Sequence, residues 1–193
     1  MTRTHGDVDM PHNMRVKLKL KLVLNHEPLG LYGVERALIM IKRSGESMQH
    51  VMMKLLSYLT FYHQDLLIEA RADQHYKPDL VRFNLRGDPV QWVDCGATSL
   101  KKLDAISRKN YETYIDIVKK SRSELALYKL QADPRLVYPE RVRYWTFGRA
   151  FLDELCGMMT SRHTLHVTIT AEYSGLYLMV DGAHTLHTQI VRL

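Results

Sequence analysis

Asp79 and Asp94 each sit at an end of an extended segment with lysines close by, residue types that suit divalent-metal and phosphate chemistry. Lys77-Pro78-Asp79 opens the first segment, Trp92-Val93-Asp94-Cys95-Gly96 forms the second, and Lys101 and Lys102 occupy the first turn of a helix predicted from Thr98-Ser99. In a strand, residues i and i+2 share a face, so Lys77 and Asp79 point one way, while Trp92, Asp94 and Gly96 share a side. Magnesium takes one or two carboxylates, keeps several waters and completes its shell with phosphate oxygens. Mg²⁺ on Asp79 and Asp94 could activate a water at a phosphodiester, with a nearby lysine neutralising the developing charge. The plainer reading is that Asp79 starts a turn after Pro78 and Asp94 ends a strand before Gly96.

The elements that must position these groups are readable from periodicity. Residues 1–13 lack any and are expected to be a mobile arm, with one ordered domain over 14–193. Val16, Leu18, Leu20, Leu22 and Leu24 alternate with Lys17, Lys19 and Lys21, a half-buried strand whose lysine face suits either a phosphate backbone or plain solvent. Val34 to Lys42 reads as a second strand. Met48, Val51, Met52, Leu55, Leu56, Leu59 and Tyr62 follow the helical rhythm after the capping residues Ser44 to Ser47.

Leu66 to Ala70 reads as a short strand or a final turn before one, and Leu80 to Phe83 with Val90 to Cys95 as an antiparallel pair. A helix over Ser99 to Lys109, a strand over Tyr114 to Val118 and a helix capped at Ser121 follow, an order that marks an α/β core. Val142 and Tyr144 alternate with Arg141 and Arg143 in a further strand. A helix containing Phe151, Leu152 and Leu155 then precedes a closing hairpin of Leu165 to Ile169 with Tyr177 and Met179.

Taken in order, several segments resemble the YaeQ family, which is placed in the PD-(D/E)xK nuclease-like superfamily. They are the basic opening strand, Leu38-Ile39-Met40-Ile41-Lys42-Arg43-Ser44-Gly45-Glu46, Met52-Met53-Lys54-Leu55-Leu56-Ser57-Tyr58, Trp92 to Gly96, and Leu165-His166-Val167-Thr168-Ile169. The resemblance covers most of 14–193. It implies an α/β fold with a mixed central sheet flanked by helices, a restriction-endonuclease-like core with N-terminal strands and a C-terminal β-hairpin. Asp79 would match the first acid of the motif and Asp94 the second, where the family pattern commonly has glutamate. The lysine expected two residues later is Gly96, so Lys101 or Lys102, or less aptly Lys77, must replace it. Glu46 is either a further site acid or a cap near its helix start.

The function so implied is a magnesium-dependent hydrolase acting on nucleic acid. The alternative is a catalytically inactive nuclease-fold module for nucleic-acid or protein binding, with Lys17, Lys19, Arg141 and Arg143 supplying charge. The net charge of +6 favours polyanions and also plain solubility. His163/His166 and His184/His187 invite zinc, but i and i+3 face opposite sides of a strand. No GxxxxGK[ST] or GxGxxG loop occurs, and no serine triad assembles. Cys95 and Cys156 read as buried, reduced thiols in a cytoplasmic protein. No apolar run is long enough to span a membrane, and the polar start is unlike a secretory signal.

Overall fold

Leucine at alternate positions makes the opening strand, β1 (Val16–His26), two-faced: Leu18, Leu20, Leu22 and Leu24 are buried while Lys17, Lys19 and Lys21 stand in solvent. The structure is a computed structural model and describes residues 15–72 and 75–193. The arm expected at 1–13 lies outside the described residues. A 3₁₀ turn ending at Gly30, in the left-handed region at φ +63°, returns the chain as β2 (Leu31–Lys42), antiparallel to β1. The other flank of β1 is taken by β8 (Arg162–Ile169), running parallel. Beyond it come β9 (Gly175–Val180) and β10 (His184–Gln189), so the first sheet has five strands in the order β10-β9-β8-β1-β2.

A second sheet of six strands is built from β3 (Leu67–Ile68), β4 (Leu80–Phe83), β5 (Pro89–Cys95), β6 (Tyr114–Lys119), β7 (Val142–Thr146) and β11 (Val191–Arg192). Its order is β11-β7-β6-β5-β4-β3, with β5, β6 and β7 parallel and antiparallel strands at both edges. The fold is therefore mixed α/β, with the mixed strands shared between two sheets. The expected C-terminal hairpin is present: Leu165, Val167 and Ile169 of β8 lie opposite Val180, Leu178 and Leu176 of β9. Arg141, predicted within a strand, instead ends the 3₁₀ turn Pro139–Arg141, because Pro139 fixes φ and offers no N–H to a ladder. The apolar stretch from Leu66 pairs over only two residues, Leu67 and Ile68.

Helix α1 (Met48–Thr60) starts at Ser47, whose side chain accepts from the His50 N–H at 3.1 Å. From Val51 to Thr60 every residue of α1 is buried, as expected of a helix covered on all sides. Its core joins the leucines of β1, the inner faces of β8 and β9, α4 (Arg149–Met158) and the Val93/Cys95 face of β5. The opposite face of the second sheet carries Trp92, Ile115, Ile117 and Tyr144, covered by α2 (Leu100–Lys109) and α3 (Arg122–Ala132). Strand β5 thus has a helix layer on each side, and the side chains at its C-terminal end can be met from both.

Candidate functional site

Asp79 stands one residue outside the β4 ladder, across from Asp94: the adjoining pair is Leu80 with Val93, and the Asp79 N–H donates to the Val93 carbonyl at 2.9 Å. The Asp79 carboxylate reaches toward α1. Its Oδ2 accepts from the Cys95 N–H at 2.7 Å, and its Oδ1 lies 3.1 Å from His50 Nε2.

Asp94 turns the other way, to the Trp92 side of the strand. Its Oδ1 accepts from Trp92 Nε1 at 3.1 Å, and its Oδ2 lies 2.6 Å from Lys102 Nζ in an ion pair off the axis of a hydrogen bond. Asp94 is only 1% exposed. Burial pushes its pKa up, Lys102 pulls it back, the negative charge of Asp79 pushes it up again, and the net direction is upward. The two carboxylates are neighbours, Asp79 facing the His50 ring and Asp94 facing the Lys102 ammonium.

Lys102 is delivered by the first turn of α2, where Ser99 caps the helix by accepting from the Lys102 N–H at 3.1 Å. Its Nζ also donates to the Lys77 carbonyl at 3.3 Å. Lys101, one residue earlier, is exposed and forms no ion pair among the described residues. Helix phase thus brings Lys102, and not Lys101, to Asp94.

Gly96 has φ +72°, and a Cβ there would meet His50 Nδ1 at 3.3 Å and Met53 Cε at 3.4 Å. A lysine at this position would be strained by backbone and neighbour alike. The Gly96 carbonyl instead accepts from Lys119 Nζ at 2.5 Å. Lys119 ends β6, is buried, and has its pKa lowered by that burial against the pull of Glu124 and Asp94.

A second charged cluster adjoins Asp79 through His50. His50 and Lys54 are four residues apart on one face of α1 and Glu46 stands four residues before His50, just ahead of the cap; Glu46 Oε1 lies 2.6 Å from Lys54 Nζ and 3.5 Å from His50 Nε2. Glu46 does not cap the helix, since Ser47 does; its Oε2 accepts from the Arg43 N–H at 2.9 Å. Glu69, which sequence reasoning missed, lies 2.5 Å from Lys54 Nζ through Oε1, while Oε2 lies 2.5 Å from Arg43 Nη2 and 3.6 Å from Lys77 Nζ. Glu69 adopts φ +53°, a conformation unusual for a residue with a side chain. Beside this cluster opens a cleft of about 580 Å³ whose walls include Arg43, Glu46, His50, Gly96 and Lys120.

The four cations expected to contact nucleic acid are scattered: two on β1, one on β7 and one in the 3₁₀ turn before it. Lys17 and Lys19 share the solvent face of β1. Arg143 is engaged with buried Asp116, its Nε donating to Oδ1 at 2.7 Å and its Nη2 to Oδ2 at 2.6 Å. Arg141 packs over the Tyr138 ring, 4.5 Å from its centroid. One member of each histidine pair has another partner: His163 Nδ1 lies 2.6 Å from Asp181 Oδ2, and His187 stacks on Tyr177. Among the described residues no three His, Cys, Asp or Glu side chains form a metal-holding cluster. Magnesium needs fewer protein ligands than that. Asp79, just before β4, and Asp94 of β5 are both oxygen donors, and because their carboxylates leave the sheet on opposite sides, one of them must turn for both to hold a single cation.

Two mixed sheets around a buried helix, with an acidic pair where β4 meets β5, define the class: a mixed α/β protein with an acidic site at a strand end. The chain belongs to the YaeQ family, whose model, described as YaeQ protein, matches residues 19–189. Its fold is similar to the crystal structure of YaeQ protein from Xanthomonas axonopodis pv. citri, with a TM-score of 0.77 and 16% identity over 93% of this chain and 98% of that one. It is also similar to the YaeQ protein of Pseudomonas syringae, with a TM-score of 0.76 and 18% identity over 92% of this chain and 95% of that one. No curated protein matches the chain.

Proposed function

We propose that this chain is a metal-dependent phosphodiesterase acting on nucleic acid, with a nuclease-like site of the PD-(D/E)xK kind formed by Asp79, Asp94 and Lys102. One observation carries the reading: the ammonium absent at Gly96 is supplied from α2, where Lys102 Nζ lies 2.6 Å from Asp94 Oδ2. Mg²⁺ held by Asp79 and Asp94 would polarise a water and stabilise charge at the phosphorus. Lys102 offsets the cost of ionising buried Asp94 and brings positive charge to the place where a phosphate oxygen would gain negative charge. His50 and the Cys95 N–H orient the Asp79 carboxylate. Glu46 is one step further out, tied to Lys54 and reaching the site through His50. Lys120 and Arg43 on the cleft wall suit a polyanionic strand.

A second reading also has an observation in its favour. Asp79, Asp94 and Glu46 each already face a cationic or ionisable nitrogen of the protein, which suits a catalytically inactive module that binds nucleic acid or protein. Incubation with varied DNA and RNA in Mg²⁺ or Mn²⁺ separates the two. The enzyme reading requires cleavage that D94N abolishes and K102A lowers by roughly 10²-fold or more, the scale of losing one charge-stabilising donor. Intact substrates bound with a steep salt dependence select the module.

A further inference from the structure

At the other end of β5 the second sheet forms a different site. The face that carries Val93 and Cys95 continues back to Gln91, about 16 Å from Gly96 along the strand, beyond the C-terminal end of α1. Register places Arg82, Gln91 and Tyr114 in one row across β4, β5 and β6, Asp116 beside Arg143 in the next, and Trp145 beside Arg192. The members of these rows other than Asp116, together with Tyr62 just past α1, line a pocket of about 320 Å³, and Asp116 lies buried behind Arg143.

The charge in this pocket is unbalanced. Asp116 is fully buried and already accepts from Nε and Nη2 of Arg143, from Trp145 Nε1 at 2.8 Å and from Gln91 Nε2 at 2.8 Å. It has no capacity left for another cation. Among the described residues neither Arg82 nor Arg192 meets a carboxylate; Arg192 lies over the Trp145 ring, 5.3 Å from its centroid. Arg82 Nε is buried with no hydrogen-bond partner, and so is the hydroxyl of Tyr62, a residue only 6% exposed. Unpaired buried donors are costly in a finished protein interior. Three guanidiniums facing one carboxylate leave an excess of two positive charges, walled by Tyr114, Trp145 and Tyr173.

We infer that this pocket binds a phosphate monoester carried on a planar aromatic group, that is, a nucleotide with a terminal phosphate. A monoester carries close to two negative charges at neutral pH and three acceptor oxygens, which matches the excess, whereas an internal phosphodiester carries one. Guanidinium forks meet phosphate oxygens in pairs. Of the aromatic walls Tyr114 is the exposed ring and offers the base a stacking surface. The source of the monoester is either a free mononucleotide or the phosphorylated end of a strand, and the pocket stands apart from the Asp79–Asp94 site whether or not that site is catalytic.

Calorimetric titration of the full chain in EDTA tests the assignment, using AMP, adenosine, and a DNA tetranucleotide with either a 5′-phosphate or a 5′-hydroxyl. AMP should bind saturably, adenosine should bind at least about tenfold more weakly, and R82Q and R192Q should each weaken AMP about tenfold or more, as expected when a charge-assisted hydrogen bond is removed. D94N should leave AMP binding unchanged. If one arginine variant fails to fold by circular dichroism, the other decides. Binding of the 5′-phosphorylated tetranucleotide, with the 5′-hydroxyl strand at least about tenfold weaker, assigns the strand end; binding of AMP alone assigns the free nucleotide. No saturable heat with AMP at millimolar concentration, unchanged affinity in a folded arginine variant, loss of binding in D94N, or equal affinity for the 5′-hydroxyl strand would each overturn it.

Discussion

Lys54 carries an ammonium into the most buried helix of the chain and is 1% exposed. Burial pulls its pKa down, but Glu46 and Glu69 outweigh that and hold it above the usual lysine value. Asp94 shows the opposite balance, since burial there exceeds what Lys102 restores. The two charges differ in what they do for the fold. K54M strands Glu46 and Glu69 beside each other and should cost about 1–3 kcal/mol, less than a fully buried broken pair because both carboxylates keep some solvent and Glu69 keeps Arg43 and Lys77. D94N removes a charge that its surroundings disfavour, keeps an acceptor for Trp92 Nε1, and leaves Lys102 with partial access to water. Its stability should be unchanged or higher by up to about 1 kcal/mol, while metal-dependent activity disappears. Urea unfolding of both variants, set beside their nuclease assays, checks the contrast. A D94N protein that is both inactive and much less stable would make Asp94 a structural residue.

The join from β5 to α2 leaves no easy place for a lysine at position 96. Gly96 needs its left-handed backbone to turn the chain off the strand end, and His50 of α1 closes over it. G96K should therefore be destabilised by about 1–2 kcal/mol through the left-handed penalty alone, and G96K combined with K102A should not regain activity. Thermal melting and the cleavage assay together read both halves of that expectation; recovery in the double variant would mean that strand position, not α2, sets the lysine. How much of this was legible differs by element. Alternating leucines mark β1, the apolar rhythm marks α1, and Ser99 marks the start of α2, because each is a local pattern with a period. The Glu46, His50 and Lys54 stripe has the same helical period and was readable, with a lysine among Met53, Leu55 and Leu56 as its signal. Glu69 was not readable, since it follows a two-residue strand and gains its partners only through the fold. Nor was the division into two sheets, because β1 finds its parallel partner β8 from the far part of the chain.

At the scale of the molecule, the first sheet buries one face against α1 and leaves the other in solvent. On that open face register sets Lys19 beside Arg162, with Lys17 and Lys21 along the same strand. Replacing Lys17 and Lys19 by glutamate should leave the melting temperature nearly unchanged, as for exposed positions. It should also flatten the salt dependence of polyanion binding, lowering the log–log slope by about one for each phosphate no longer neutralised. Unchanged salt dependence by filter binding would remove this face from the nucleic-acid surface. The pH response belongs to the whole molecule too, because the charges around α1 link the second sheet to the helix core. The Glu69 carboxyl is pushed up by burial but pulled further down by Lys54, Arg43 and Lys77, so its folded pKa lies below the usual value. Its contribution is complete above the unfolded value of about 4.3 and is lost as pH falls through the folded one. Lys54, with its pKa raised, contributes fully below about 10.4 and loses that as pH rises through its folded value. Asp94 opposes Glu69 on the acid side: with its folded pKa raised, it adds stability only at low pH and loses it on ionising. Urea midpoints measured across the acid range should therefore fall less steeply toward low pH in E69Q than in the parent chain, and more steeply in D94N. Parallel acid limbs in all three proteins would mean that these two carboxylates titrate alike in the folded and unfolded chain.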